Sequence, residues 1–148
     1  MTITSSRKSI PTLSIVALTA AALLASVEDR ETIRQTYPYA AKLDVENVNG
    51  SIRVTGYNGG TIQLVANRRT EARDSAALEE AKREVRLDVT SSGGVLRVCI
   101  DAPWKDCSDP ENWRGRNSRG DRNYSVRFDF ELQVPSAMAA KLKTVNGG

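Results

Sequence analysis

The sequence predicts a mainly β protein with one short helix. Short runs in which apolar and polar residues alternate begin about nine or ten residues apart, at Leu43, Ile52 and Ile62. Turn-forming residues separate these runs, first at Asn49-Gly50 and then across residues 56–60. Such regular spacing is typical of a meander or of a coil of stacked short strands.

The first 26 residues are predicted to form a secretory signal peptide. Arg7 and Lys8 precede an apolar stretch over residues 13–25, and acidic residues follow from Glu28. The stretch is shorter than the roughly 20 residues that span a bilayer. We therefore expect export to the periplasm or cell envelope. An uncleaved anchor, through which alone the protein would touch a membrane, and a buried helix are the alternatives.

Charge and composition argue against several classes of protein. The chain has 21 Lys and Arg against 18 Asp and Glu, and loss of Arg7 and Lys8 with the signal peptide lowers this excess from three to one. Nucleic-acid binding is not expected from so small an excess. The chain also has no histidine, so it lacks the commonest general base and zinc ligand. We predict no catalytic residue, metal or cofactor.

Two groups of acidic residues suggest alternatives to that prediction, namely a hydrolase site and a calcium site. Asp129 and Glu131 could serve a carboxylate-based hydrolase, although ion pairs on a polar strand face are the simpler interpretation. The side chains of Asp106, Asp109 and Glu111 could offer oxygen ligands to calcium, although Pro110 favours a simple turn.

The middle of the chain predicts a helix followed by a hairpin. Asp74 or Ser75 can cap a helix over residues 75–84, whose apolar stripe includes Leu78 and Ala81. Alternating runs on either side of residues 91–94 then predict two antiparallel strands.

Both cysteines lie at the end of this hairpin. In the second strand, Cys99 falls on the face opposite the apolar residues, from which it could reach Cys107 in the following loop. We predict a disulfide, which fits an exported protein. Two free thiols in a cytoplasmic protein are the alternative.

Residues 101–123 are predicted to form a polar loop rich in arginine. An anion-binding role for lipid head groups, polysaccharide or nucleic acid is one interpretation, and a flexible exported loop is the other. The residues that would bind are Trp113, Arg114, Arg116, Arg119 and Arg122.

A long strand and a repeated turn complete the chain. Apolar and polar residues alternate strictly from Tyr124 to Val134, and Pro135 ends the strand. The last segment, "KLKTVNGG", then repeats the pattern of "KLDVENVNGS" at residues 42–51. We interpret the two as one unit of a truncated repeat array. The predicted corner residues are Asn49, Gly50, Asn146 and Gly147.

These segments together resemble a known family. The signal peptide, "VENVNGSIRVTGYNGG", the helix, the "FELQVP" strand and "LKTVNGG" are similar to the bacterial putative-adhesin domain family of exported proteins. The resemblance covers residues 36–148 and implies a right-handed β-solenoid that is incomplete at its C-terminus. It implies no catalytic residues. The expected role is structural or adhesive, with an unknown envelope or surface component as partner.

Overall fold

The computed structural model describes residues 25–108 and 122–147, which form eight strands and one helix. In chain order these are β1 (Val27–Pro38), β2 (Lys42–Asn49), β3 (Ile52–Tyr57), β4 (Thr61–Ala72), α1 (Ser75–Glu84), β5 (Arg86–Ser92), β6 (Val95–Asp101), β7 (Tyr124–Pro135) and β8 (Ala139–Asn146).

The strands form two four-stranded sheets, each with an antiparallel and a parallel side. Sheet A has the order β1-β4-β7-β3, and sheet B has the order β5-β6-β2-β8. The pairs β1–β4, β4–β7 and β5–β6 are antiparallel. The pairs β3–β7, β2–β6 and β2–β8 are parallel. Among the described strands, the edges on the parallel side are therefore β3 and β8.

The inner faces of the two sheets share one hydrophobic core. Leu43 and Val45 of sheet B belong to the same buried cluster as Ile62 and Phe130 of sheet A. Strand β7 shows the predicted alternation, since its even-numbered residues are buried while most of its odd-numbered ones are exposed. Period-two alternation is the pattern that buries one face of a strand.

Helix α1 packs against the same core and is fixed at both ends. The Asp74 carboxylate accepts a hydrogen bond from the Ala77 amide at 2.8 Å, which caps the N-terminus. Near the C-terminus, the buried Arg68 guanidinium donates to the Ala81 carbonyl at 3.1 Å and stands over the Phe128 ring. Burial lowers the pKa of Arg68. The helix is thereby tied to sheet A.

The structure confirms a mainly β protein with one short helix but does not confirm the predicted β-solenoid. A mainly β protein with a helix over Ser75–Glu84 is what the sequence indicated. Parallel stacking, however, is confined to one side of each sheet, and the other side is antiparallel. Strand β1, which the sequence did not predict, pairs along its whole length with β4. Sheet A therefore includes residues that precede position 36.

The predicted signal peptide lies almost entirely outside the described residues. Only residues 25 and 26 of that segment are described, and they are exposed and lead into β1. Across the two described stretches of chain, no helix is long and apolar enough to cross a membrane.

Candidate functional site

The two Val-Asn-Gly segments lie side by side in register. Asn49 at the end of β2 pairs with Asn146 at the end of β8. The Asn146 side-chain amide donates to the Asn49 side-chain oxygen at 3.1 Å, and the Gly50 amide donates to the Asn146 carbonyl at 3.2 Å. The Asn49 side chain also donates to the Val126 carbonyl of β7 at 3.4 Å. Asn49 therefore connects three successive layers of backbone, which we call the stacked corner.

Both corner positions require glycine because backbone from the neighbouring layer passes close to them. A Cβ on Gly50 would lie 2.0 Å from the Phe128 carbonyl oxygen, and the residue has φ of +118°. A Cβ on Gly147 would lie 2.0 Å from the Gly50 carbonyl oxygen. The same contact is thus made twice, one layer apart, and any side chain would block it.

The residue three positions before each glycine also has the same role in both layers, which is to donate a hydrogen bond to a carbonyl of the neighbouring layer. The Asn47 side-chain amide donates to the Phe128 carbonyl at 2.7 Å, and the Thr144 hydroxyl donates to the Gly50 carbonyl at 3.4 Å. Asn47 and Thr144 pair with each other between β2 and β8. In each layer, a polar side chain therefore satisfies the carbonyl on which that layer's glycine packs.

Asp129 of β7 holds the backbone that follows the first corner. One carboxylate oxygen accepts from the Ser51 amide at 2.8 Å and from the Ser51 hydroxyl at 2.7 Å, while Arg127 forms a two-pronged ion pair with the same group. Mainly because Arg127 donates to it, the pKa of Asp129 is lowered to about 2. This shift is opposite to the one that a general acid requires. An ionised carboxylate is unsuited to the role of general acid but suits that of nucleophile or base, so the hydrolase alternative for Asp129 with Glu131 stays a prediction.

The stacked corner leads to two strand edges that have no partner within the described residues. Strand β8 is exposed along nearly its whole length, and two of its larger apolar residues, Leu142 and Val145, are 46% and 48% exposed. On the inner face of β3, Ile52 and Val54 are only half-buried. An edge that offers unpaired backbone groups beside apolar side chains is a template for another strand.

The outer face of sheet B is covered by the start of the predicted polar loop. Cys99 and Cys107 form a disulfide with a Cα–Cα distance of 5.9 Å, which confirms the predicted pairing. Beneath the loop, the buried Lys105 ammonium donates to the Glu46 carboxylate. The disulfide favours an oxidising compartment, as expected for an exported protein.

The predicted anion-binding loop falls largely outside the described residues. Four of its five named residues, Trp113, Arg114, Arg116 and Arg119, belong to the stretch between residues 108 and 122. The described one, Arg122, places its guanidinium 4.4 Å from the centre of the Trp104 ring.

Two of the proposed calcium ligands, Asp109 and Glu111, lie in the same undescribed stretch. The Asp106 carboxylate accepts from the Ser108 amide at 2.9 Å, which is the geometry of a simple turn. In the described part of the chain, no three His, Cys, Asp or Glu residues cluster as a metal site would require.

Several residues of the stacked corner were not singled out from the sequence. Asn47, Ser51 and Thr144 all bond to backbone or side chains of another layer. A signal was present, because Asn47 and Thr144 each precede a Val-Asn-Gly segment directly. The four predicted corner residues, by contrast, are brought together as expected.

Comparisons with known proteins show a distant structural similarity. No protein-family model matches the chain, and no curated protein matches its sequence at a significant level. The crystal structure of a putative cell adhesion protein from Clostridium sporogenes aligns with 81% of this chain and 47% of that one, at 11% identity and a TM-score of 0.35. This chain thus spans about half the length of that protein, and the function proposed below is argued from the geometry of the chain itself.

Proposed function

We propose that this protein is a non-enzymatic, exported domain of the cell envelope whose role is structural or adhesive, and that it extends by adding parallel strands at the stacked corner. The single observation that carries the proposal is the in-register pairing of the two Val-Asn-Gly segments. Each layer repeats the glycine contact and the polar donor of the previous one. A further layer could therefore be added through the same two contacts.

The edge of β3, unpaired within the described residues, indicates which strand could be added next. A strand that follows Gly147 would run beside β3, just as β3 follows Gly50 and runs parallel to β7. Its inner residues would cover Ile52 and Val54, which are half-buried now. We infer that the occupant of this edge is a segment with the sequence pattern of β3, in the manner of a β-solenoid. A stack of such layers would present a rigid, polar surface able to meet a partner through many weak contacts.

A designed extension tests this mechanism. A copy of residues 52–57 is appended after Gly148, so that Gly148 takes the position of Ser51. We expect the added strand to increase the free energy of unfolding by about 1–2 kcal/mol, because it buries apolar edge surface at about 25 cal/mol per Å². It should also slow amide hydrogen exchange in β3. The measurements are urea unfolding and hydrogen exchange followed by mass spectrometry.

The matched control appends the same six residues in an order that breaks the apolar alternation. Its composition and length are unchanged, but its apolar residues no longer fall on one face. Equal stabilisation and equal protection of β3 by both extensions would refute the proposal. Protection of β3 by the ordered extension alone supports it.

A further inference from the structure

The outer face of sheet A carries a row of three arginines, one from each of three neighbouring strands. Arg30 of β1 lies directly opposite Arg69 of β4, and Arg69 lies directly opposite Arg127 of β7. With neighbouring strands about 4.8 Å apart, the three Cα atoms span about 10 Å across the sheet. Like charges directly opposite each other on a sheet destabilise it. Repulsion within this row therefore has to be offset by neighbouring groups.

Acidic residues around the row reduce the repulsion between the arginines but leave several N–H donors of each guanidinium available. Glu28 pairs with Arg30 at 2.5 Å and with Arg69 at 3.0 Å, Glu71 pairs with Arg69 at 2.7 Å, and Asp129 pairs with Arg127 at 3.0 Å. The pKa of Glu28 is lowered, chiefly because Arg30 donates to it. Each guanidinium has five N–H donors, and these pairs engage only one or two of them. The three side chains are 71%, 46% and 57% exposed.

The row lies in a groove rather than on a flat surface. The groove has a volume of about 490 Å³, and the arginine row forms part of its lining. The adjacent row of the sheet adds Thr32, Asn67 and Asp129, and Glu31 and Arg68 are the other described residues of the lining. The Thr32 hydroxyl donates to the Asn67 side-chain oxygen at 2.9 Å. Cationic donors and neutral or anionic acceptors thus stand in parallel rows one beside the other.

This pattern matches one class of ligand. Carboxylate and sulfate groups bind guanidinium through paired hydrogen bonds, and sugar hydroxyl groups donate to carboxylate and amide oxygens. Because neighbouring strands lie about 4.8 Å apart, the Cα atoms of successive arginines are separated by about the length of one sugar unit in an extended chain. A DNA strand, by contrast, has no free sugar hydroxyl groups for these acceptors, and none of the described residues that line the groove is an aromatic on which a base could stack.

We propose that the groove formed by Arg30, Arg69, Arg127, Thr32, Asn67 and Asp129 binds a linear acidic polysaccharide, with acid groups on the arginine row and hydroxyl groups on the row beside it. This site is separate from the loop over residues 101–123 and meets the stacked corner only at Asp129. It does not depend on whether the chain adds strands at its open edges.

The test measures binding of the full chain to two probes, polygalacturonate for carboxylate groups and dextran sulfate for sulfate groups, with neutral dextran as the blank. In the variant R30Q/R69Q/R127Q, we expect affinity for at least one probe to fall by about thirtyfold, since each exposed charge-assisted contact contributes a factor of about three. The matched control, R73Q/R83Q/R86Q, removes the same charge from exposed arginines outside the groove and should bind like the unmodified chain.

Two further variants allow for misfolding of the groove variant and for binding by the arginine-rich loop. If R30Q/R69Q/R127Q fails to fold by circular dichroism, R30K/R69K/R127K keeps the charge but loses the paired geometry, and should still weaken binding by several-fold. The variant R114Q/R116Q/R119Q removes charge from the arginine-rich loop and should leave binding unchanged. Loss of binding in this loop variant but not in the groove variants would overturn the proposal.

Three other results would also overturn it. Failure of the unmodified chain to bind either acidic probe would show that there is no such site. Equal weakening in the groove variant and in R73Q/R83Q/R86Q would show that only net charge matters. Tighter, groove-dependent binding to single-stranded DNA or to phosphatidylglycerol vesicles than to either polysaccharide would assign the groove to another polyanion.

Discussion

The antiparallel and parallel sides of the sheets end in different kinds of edge. On the antiparallel side, the edge strand β1 is rich in charge, with Glu28, Asp29, Arg30, Glu31 and Arg34 along its length. Charged residues on an edge strand discourage pairing with another chain. On the parallel side, β3 carries one charged residue, and β8 combines two lysines with exposed apolar residues. One side of the molecule is thus protected against further pairing, whereas the other is suited to it.

The two sides also differ in what holds them. The antiparallel side is fixed by local contacts that occur once each, namely the Asp74 cap of the helix and the Cys99–Cys107 disulfide. The parallel side is held by a contact that recurs, in which a glycine packs on the carbonyl of the layer before it. A contact that occurs once cannot be made again by an additional strand, whereas a contact that recurs from layer to layer can.

The largest effect is expected at Gly50. The substitution Gly50→Ala would place a Cβ 2.0 Å from the Phe128 carbonyl oxygen, at a residue with φ of +118°. Because backbone cannot move aside without breaking sheet A, we expect a loss of about 3 kcal/mol in the free energy of unfolding. Urea unfolding measures it.

Gly60→Ala is the matched control for this prediction. A Cβ on Gly60 would have no neighbour within 4 Å, so the change should fall within about 0.5 kcal/mol of zero. A Gly50→Ala protein as stable as the Gly60→Ala protein would mean that the stacked corner does not constrain the fold.

An intermediate effect is expected from the disulfide. Replacing both Cys99 and Cys107 with serine removes a cross-link between residues eight positions apart. The entropy regained by the unfolded chain predicts a loss of about 2.5 kcal/mol. Hydrogen exchange should accelerate over residues 99–108 while the β2–β8 pairing remains protected. Reduction of the unmodified protein should reproduce the loss, and the double variant should not respond to reductant. Accelerated exchange in β8 would show that the two sides are coupled.

The helix, the hairpin, β7 and the disulfide were predictable because each is encoded by neighbouring residues. A cap before an apolar stripe, a turn between alternating runs and a strict two-residue period are all local patterns. Strand β1 was not predictable in this way. It is an edge strand on which Glu28, Arg30 and several other residues are exposed, so its apolar residues do not alternate. Its position follows from pairing with β4, which no local pattern specifies.

Register between distant strands explains what else the sequence did not reveal. The repeated segments share Lys-Leu and Val-Asn-Gly, but only Val-Asn-Gly aligns, since Leu43 pairs with Ala140 and Leu142 pairs with Val45. The glycine contact fixes this register, and the Lys-Leu similarity does not. The arginine row arises in the same way, because its members come from three strands that are far apart in the chain.

The smallest effect is expected from Asp129, which lies where the stacked corner meets the groove. Its pKa is lowered from 3.8 to about 2, first because Arg127 donates to it and also because Ser51 does. A lowered pKa means that the ionised form stabilises the folded state. This contribution is complete above the unfolded pKa of 3.8 and is lost as the pH falls towards 2. Asp129→Asn should therefore be less stable than the unmodified protein at neutral pH, by no more than about 1 kcal/mol because the ion pair is partly exposed.

The difference between the two proteins should shrink as the pH is lowered across this interval, because the unmodified side chain becomes protonated as well. Urea unfolding at several pH values between neutral and 2 measures it, with Asp101→Asn as the control at an exposed ion pair on the antiparallel side. A difference that stays constant with pH would mean that Asp129 acts through shape alone. A difference that shrinks would show that its charge holds Ser51, and with it the backbone that leaves the first corner, in place.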